Sequence, residues 1–379
     1  MASRVFDGER IVTGCAVLID GAQIIDVVPC AAIPEDSAIV DLGAGSVLAP
    51  GFIDVQVNGG GGVLLNNEPT FAGINTIIAA HRRFGTTGLL PTLITDRREV
   101  TERLASTAES AMEIPGVLGF HLEGPFINPS RKGVHPSELV RSPAKEDIAL
   151  LRRFGSFGHS IATLAPECVP RGFIADLTHC GLRICAGHTD ADEPTIRRAC
   201  DEGLRGVTHL YNAMSQMQAR APGVVGTALD EPRLTAGLIC DGYHVDPAML
   251  RIAFRAAGRD RLMLVTDAMP TVGANLSHFN LFGRAIALEC TRLTAEDGTL
   301  AGAHLDMMGA VRGAVSLMRV SLEDSLVMAS RTPARFLGLG DMLGMIRKAY
   351  RADLVAFDAS FIVTDTWVGG VRHCHIGQQ

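Results

Sequence analysis

One tryptophan and three tyrosines in 379 residues leave this chain poor in aromatics, while charged residues stand at 20% and hydrophobic ones at 47%. Those proportions lie near the globular average and exclude a disordered or collagen-like chain. No C-x-x-C pair occurs. The nine cysteines (15, 30, 168, 180, 185, 200, 240, 290, 374) are odd in number and irregularly spaced, so neither a disulfide framework nor a zinc knuckle is encoded. Reduced, mostly buried thiols are expected. No run of about 18 apolar residues is present to span a membrane. The opening Met-Ala-Ser-Arg is not followed by an apolar stretch and a small-residue cleavage site, and the expected location is the cytoplasm. Positive charge is also in deficit: 34 Lys and Arg against 41 Asp and Glu give a net charge of -7. Nucleic acid is thereby excluded as a general partner, because counterion release needs clustered cations facing phosphates. A single pocket can still bind one anionic group.

The familiar short motifs are missing too. There is no H-E-x-x-H, no G-x-S-x-G and no G-x-x-x-x-G-K-[ST]. Gly338-Leu-Gly340 follows a helical pattern and not a strand, so it is no dinucleotide fingerprint. Gly59 to Gly62 has no lysine behind it and reads as a flexible entry loop.

The length suggests two to three domains, or one large barrel with an appendage. Residues 1 to about 50 carry short alternating segments (10–12, 16–19, 24–28, 38–42) separated by Asp-Gly, Gly and Pro, the rhythm of a small antiparallel sheet. From Pro50 onward, apolar runs alternate with stretches of helical period. The runs are 52–57, 88–93, 117–122, 161–164, 182–186, 206–208, 235–239 and 262–266; the amphipathic stretches are 71–84, 97–112, 191–202 and 248–257. Eight βα units fit a (β/α)8 TIM barrel, which needs roughly 250 residues. After Pro333 short strands return at 353–357 and 361–371. Neither end alone has enough residues for a core. The expected division is a small β-sandwich from 1–49 plus 340–379 and a barrel over 50–339.

In a barrel the C-terminal ends of all strands open onto one face, so the polar residues that follow the apolar runs converge there. Glu123, His188 and His209 follow three such runs. One carboxylate and two imidazoles leave a position open for water and suit a catalytic Zn²⁺; a structural zinc is normally closed by four ligands, mostly Cys. Asp267, directly after the last run, suits a general base, and equally a helix cap or a salt-bridged carboxylate.

Several segments then match a known pattern: Pro50-Gly-Phe-Ile-Asp-Val-Gln-Val-Asn58-Gly, His121-Leu-Glu-Gly-Pro-Phe126, Gly187-His-Thr189, Thr208-His-Leu-Tyr-Asn-Ala-Met214, Asp241-Gly-Tyr-His244, Val265-Thr-Asp-Ala268, Gly298-Thr-Leu-Ala-Gly302 and Ala352-Asp-Leu-Val-Ala-Phe357. In order and over nearly the whole chain, they resemble the N-acetylglucosamine-6-phosphate deacetylases of the amidohydrolase superfamily. The resemblance implies a metal-dependent hydrolase of amino sugar metabolism. Its substrate would be a small amino-sugar phosphate, and it would form a homodimer in which a phosphate contact comes from the neighbouring subunit. It makes Glu123, His188 and His209 the metal ligands, Asp267 the general acid/base, and His135 the group that polarises the acetyl carbonyl. Val134, His135, Asn212, Ala213, Arg220 and His244 become substrate contacts, and Leu300, Ala301 and Gly302 the loop lining the sugar. Arg220 offers a planar fork of donors suited to phosphate.

Where many amidohydrolases carry His-x-His for a second metal, this chain reads Gln56-Val57-Asn58. Neutral amides are weak Zn²⁺ ligands. One divalent ion per subunit is therefore expected, Zn²⁺ ahead of Fe²⁺, Co²⁺ or Mn²⁺, with Gln56 and Asn58 supporting the site by hydrogen bonds. The approach to the last strands, Met345-Ile-Arg-Lys-Ala-Tyr350, departs from the family's Gly-rich pattern. Two rivals stay open: deacetylation of a related substrate such as N-acetylgalactosamine 6-phosphate, and a catalytically silent sugar-phosphate-binding relative.

Overall fold

A computed structural model describes residues 1–375, so the last four residues of the expected 340–379 stretch lie outside the described residues. Eight parallel strands form one sheet in sequence order: Phe52–Val57, Thr86–Ile94, His121–Glu123, Ile161–Leu164, Arg183–Ala186, Leu204–Val207, Thr235–Leu238 and Leu262–Leu264. The first and eighth are joined through a parallel bridge from Val57 to Ala268, with Asp267 N–H donating to Gln56 O (3.0 Å) and Asn58 N–H to Ala268 O (2.9 Å). The sheet thus closes as a (β/α)8 barrel, as expected. Its second strand, Thr-Thr-Gly-Leu-Leu-Pro-Thr-Leu-Ile, is buried at all nine positions, because helices cover the outside and side chains fill the inside.

The four expected helices appear as Phe71–Arg82, Arg98–Ala111, Glu193–Asp201 and Pro247–Ala257. Local chemistry starts them: Thr70, Asp192 and Asp246 each accept a backbone N–H of the first turn, and Pro194 and Pro247 occupy positions where no N–H is needed. Helices at Lys145–Phe154, Phe173–His179 and Gly223–Asp230 were not foreseen. Gly223–Asp230 is buried at every position but the last, so it has no polar face from which a period could be read.

Both chain ends share a six-stranded sheet in the order Ile11–Val12, Arg4–Phe6, Val47–Pro50, Leu354–Phe357, Val363–Val368, Val371–Cys374. A hairpin, Cys15–Asp20 with Gln23–Pro29, packs over it around Val5, Ile24, Leu48, Leu354 and Trp367. Two details differ from expectation. Residues 38–42 form no strand, although Val40 and Leu42 pack against the chain-end core while Ile39 is 58% exposed. The expected 361–371 strand is a hairpin folded at Gly369 and Gly370, both at positive φ (55° and 77°).

An ion network on the barrel wall has a pH signature. Glu231, 3% exposed, accepts from Arg233 Nε (2.8 Å) and Nη2 (2.9 Å) and from Arg197 Nη1 (3.1 Å). Arg233 chiefly, and Arg197 after it, outweigh burial and hold this carboxyl at about 2 instead of 4.5. A carboxyl depressed in the folded state adds stability above its unfolded pKa and loses it as pH falls through the folded value. Glu231→Gln is expected to lower Tm at neutral pH, by a margin that shrinks between pH 4.5 and about 2; thermal unfolding across that range checks it.

Candidate metal centre and active site

Four barrel strands release the chain through a residue with positive φ: Gly124 (87°) after the third, His188 (48°) after the fifth, His209 (33°) after the sixth and Asp267 (52°) after the eighth. L-residues pay roughly 1–3 kcal/mol to sit there, and such strain is kept where the surrounding structure over-determines it. Glycine is required at Gly124, where a Cβ would lie 2.1 Å from Thr95 Oγ1. It is also required at Gly187, where a Cβ would meet Thr163 and Thr208 at 2.6 and 3.0 Å. These neighbours could not otherwise approach the donors they flank.

The turns bring three donor atoms to one point. His188 Nε2 lies 3.1 Å from Glu123 Oε1, His209 Nε2 lies 3.0 Å from the same oxygen, and the two nitrogens are 3.0 Å apart. A tetrahedral site with bonds of about 2.0 Å has edges of about 3.3 Å, so the triangle fits a divalent cation with slight expansion. His188 Nδ1–H donates to Arg131 O (2.9 Å), which leaves the Nε2 lone pair facing the triangle. All three residues are buried. Burial raises Glu123, but the two imidazoles outweigh it and hold the carboxyl well below the usual range. His135 adds a further nitrogen, grouped with the Glu123 and His188 donors within 4.8 Å. Its own Nδ1 is 2.7 Å from Thr95 Oγ1.

Asp267 borders this cage and caps no helix. Asn58 Nδ2 (2.7 Å) and Gln56 Nε2 (3.1 Å) both donate to its Oδ1, and Gln56 Nε2 also reaches Glu123 Oε2 (3.2 Å). The two amides at the end of the first strand thus tie Asp267 and Glu123 to the same side of the barrel mouth. Burial, then the Glu123 charge, push Asp267 up to about 6. The register between the first two strands slips opposite Pro91, which has no N–H to offer, and Val57 N–H turns instead to Thr92 Oγ1 (2.8 Å). That irregularity lies beside Gln56.

A hollow of about 360 Å³ opens above the cage, lined by Asn58, Glu123, Val134, His135, His188, His209, Asn212, Ala213, His244, Asp267, Leu300 and Gly302, together with Ser130, Arg131, Met269 and Thr299. Asp241 Oδ2 accepts from His244 Nδ1 (2.6 Å), leaving Nε2 available to the hollow. Leu300 to Gly302 arrive from an insertion after the eighth strand: a three-stranded sheet, His278–Leu281, Arg284–Glu289 and Arg292–Ala295, returns the chain so that Ala303 N–H meets Asp267 O (2.9 Å). Ala301 is fully buried beneath that loop, packed with Ile286 and Leu293. Arg220 is exposed in a turn between Gln218 and Ala221 and does not line the hollow. The Gly59 to Gly62 run is no loose loop. Gly59 and Gly60 pair with Val63–Leu64, and Gly59 N–H donates to Ala268 O (3.0 Å). Sequence reasoning missed Thr95 and Arg131, which act through partners remote in the chain, whereas Asp241, within the Asp241-Gly-Tyr-His244 segment, acts on a neighbour three residues on. A larger cleft of about 800 Å³ by the chain-end sheet is lined by no acidic, basic or imidazole side chain.

Residues 47–372 match the Amidohydrolase family. The chain is 40% identical over 325 residues to N-acetylgalactosamine-6-phosphate deacetylase of Shewanella sp. (strain ANA-3), covering 85% of this chain and 82% of the relative. The crystal structure of N-acetylglucosamine-6-phosphate deacetylase from Pasteurella multocida superposes with a TM-score of 0.94 at 32% identity, covering 98% and 97% of the two chains. A mutant of the Mycobacterium smegmatis N-acetyl-D-glucosamine-6-phosphate deacetylase, in complex with N-acetyl-D-glucosamine 6-phosphate, gives 0.90 at 30% identity, covering 98% and 97%. A barrel whose strand ends gather one carboxylate and two imidazoles, matched over most of its length by these proteins, makes the chain a member of the amidohydrolase family.

Proposed function

We propose that this protein hydrolyses the acetamide of N-acetyl-D-glucosamine 6-phosphate to D-glucosamine 6-phosphate and acetate. The observation that carries the reading is the triangle of Glu123, His188 and His209 donors, 3.0–3.1 Å on a side, with Asp267 beside it in a polar hollow. In this reading the triangle holds one divalent ion per subunit, Zn²⁺ ahead of Fe²⁺, Co²⁺ or Mn²⁺. Such an ion supplies Lewis-acid chemistry, acidifying a water and polarising a carbonyl.

Asp267 is the proton carrier. Gln56 and Asn58 occupy its Oδ1, so Oδ2 takes the proton of the attacking water and delivers it to the sugar nitrogen, which would otherwise leave as an anion. His135, anchored through Nδ1 on Thr95, turns Nε2 to the acetyl oxygen and meets the charge that builds there. Asn212, Ala213 and His244 hold the sugar phosphate, while Val134, Leu300, Ala301 and Gly302 shape the wall around the ring. Arg220, exposed and outside its own chain's hollow, suits the cation that reaches the neighbouring subunit's phosphate in a homodimer. The chain divides into a β domain, 1–49 plus 340–379, and a barrel, 50–339; the sheet shared by both ends supports that division. Nine unpaired thiols suit the cytoplasm. No helix of the described residues is long and apolar enough to cross a membrane.

The 40% identity to an N-acetylgalactosamine-6-phosphate deacetylase favours a second reading, in which the preferred substrate is the 4-epimer. Acetate release from phosphorylated and unphosphorylated N-acetylglucosamine and N-acetylgalactosamine decides between them. The highest kcat/KM is expected with N-acetylglucosamine 6-phosphate; a higher value with the epimer moves the assignment, and no release from any of them leaves a silent binding protein. Asp267→Asn should keep the bound metal and lose about 10³-fold or more in kcat, whereas His209→Ala should lose the metal itself, read by elemental analysis. Near-normal turnover in Asp267→Asn would remove that residue from proton transfer. Arg220→Ala should raise KM for the phosphorylated sugar about tenfold with kcat little changed; an unaltered KM would mean that the phosphate is held elsewhere.

A further inference from the structure

Glu167 lies in the single turn Pro166–Cys168 that follows the fourth barrel strand, and it does not line the hollow. Its side chain nonetheless reaches both neighbouring loops. Oε2 accepts from Thr189 Oγ1 (2.6 Å), and Oε1 accepts from Asp190 N–H (2.7 Å) and from Asn128 Nδ2 (2.9 Å). Thr189 and Asp190 directly follow His188. Asn128 opens the turn that ends at Arg131, and its own N–H donates to His188 O (2.8 Å). Arg131 in turn takes the His188 Nδ1 proton on its carbonyl. One carboxylate therefore ties together the segment that carries His188 and the segment that sets its ring.

We propose that Glu167 is a positioning residue for His188, fixing the spacing of the loops after the third and fifth strands and thereby the direction of His188 Nε2. The inference rests on the reading of Glu123, His188 and His209 as the metal cage. Backbone strain gives it physical weight: His188 is held at φ 48°, a conformation that its own side chain does not favour. Thr189, with no exposed surface, is the anchor through which the next residue is pinned. Water can reach Asp190 N–H and Asn128 Nδ2, both at exposed bonds, so what Glu167 adds there is a set distance between two loops, not the bonds alone. A parallel link, Arg131 to Asp190 at 2.7 Å, joins the same two segments through side chains 37% and 46% exposed. Glu167, itself exposed, differs in accepting at three donors, one of them the hydroxyl of the fully buried Thr189.

Zn²⁺ titration of the metal-depleted protein against a competing chelator, alongside the Tm of the metal-free form, tests this. Glu167→Ala should weaken Zn²⁺ binding about 10- to 100-fold, the range for residues that orient metal ligands, with the metal-free Tm unchanged. Glu167→Gln should restore most of it, because its amide oxygen can still accept from Asp190 and Asn128 while its NH₂ donates to Thr189. Unchanged affinity in Glu167→Ala overturns the proposal, and so does a loss matched by a fall in metal-free Tm that Glu167→Gln does not repair. Should Glu167→Ala fail to fold, Asn128→Ala, which removes one of the three side-chain and backbone donors to Glu167, is expected to weaken Zn²⁺ several-fold; no change there overturns the proposal as well. A wild-type protein that binds no Zn²⁺, or whose binding survives His209→Ala, would instead overturn the reading of the cage.

Discussion

Glu123 Oε1 sits 3.0–3.1 Å from two imidazole nitrogens supplied by strands elsewhere in the chain, and most of the barrel's upper layer is arranged around that meeting. Glu123 Oε1 and the two imidazole Nε2 atoms, all within 3.0–3.1 Å of one another, form a donor set that suits a shared cation. Glu123, His188 and His209 each leave their strand through a left-handed turn or beside one. The cost of those turns is met by hydrogen bonds from neighbouring loops, so the cage is only as well placed as its surroundings are rigid.

Closure of the barrel and placement of Asp267 are the same event. Asp267 N–H and Gln56 O form one of the bonds that join the eighth strand to the first, while the Gln56 and Asn58 side chains from that first strand hold the Asp267 carboxylate. The insertion at 278–295 then returns the chain to Asp267 O through Ala303 N–H, and in doing so lays Leu300 and Gly302 over the hollow. One residue is thus fixed from three directions.

Beneath the cage lies a buried polar layer. His121 donates from Nδ1 to Val55 O (2.9 Å), so its Nε2 accepts from Thr163 Oγ1 (2.7 Å), which must accept from Thr208 Oγ1 (2.6 Å). The direction of every proton in this chain follows from the first carbonyl. Asp54, fully buried and pushed up to about 7 by that burial, is held by Thr266 Oγ1 (2.5 Å) and Gln56 N–H (3.1 Å). Satisfied networks of this kind define a single arrangement of the strands that carry Glu123, His188 and His209.

Period and punctuation in the sequence were enough to reveal eight βα units, four of the helices, and a sheet contributed by both ends. They were also enough to single out Glu123, His188, His209 and Asp267, because each follows an apolar run and a closed barrel brings all such positions to one face. Resemblance, not spacing, supplied His135 and Asn212, which lie on loops where no periodicity operates. Only the tertiary structure decided the rest. That Gln56 bridges Glu123 and Asp267, that Thr95 meets His135, and that Glu167 reaches Thr189 are contacts between segments dozens to hundreds of residues apart. A side chain's hydrogen-bond partner across such separations depends on strand register and loop path. Local composition determines which elements form, and the closed ring of strands determines which of their ends can touch.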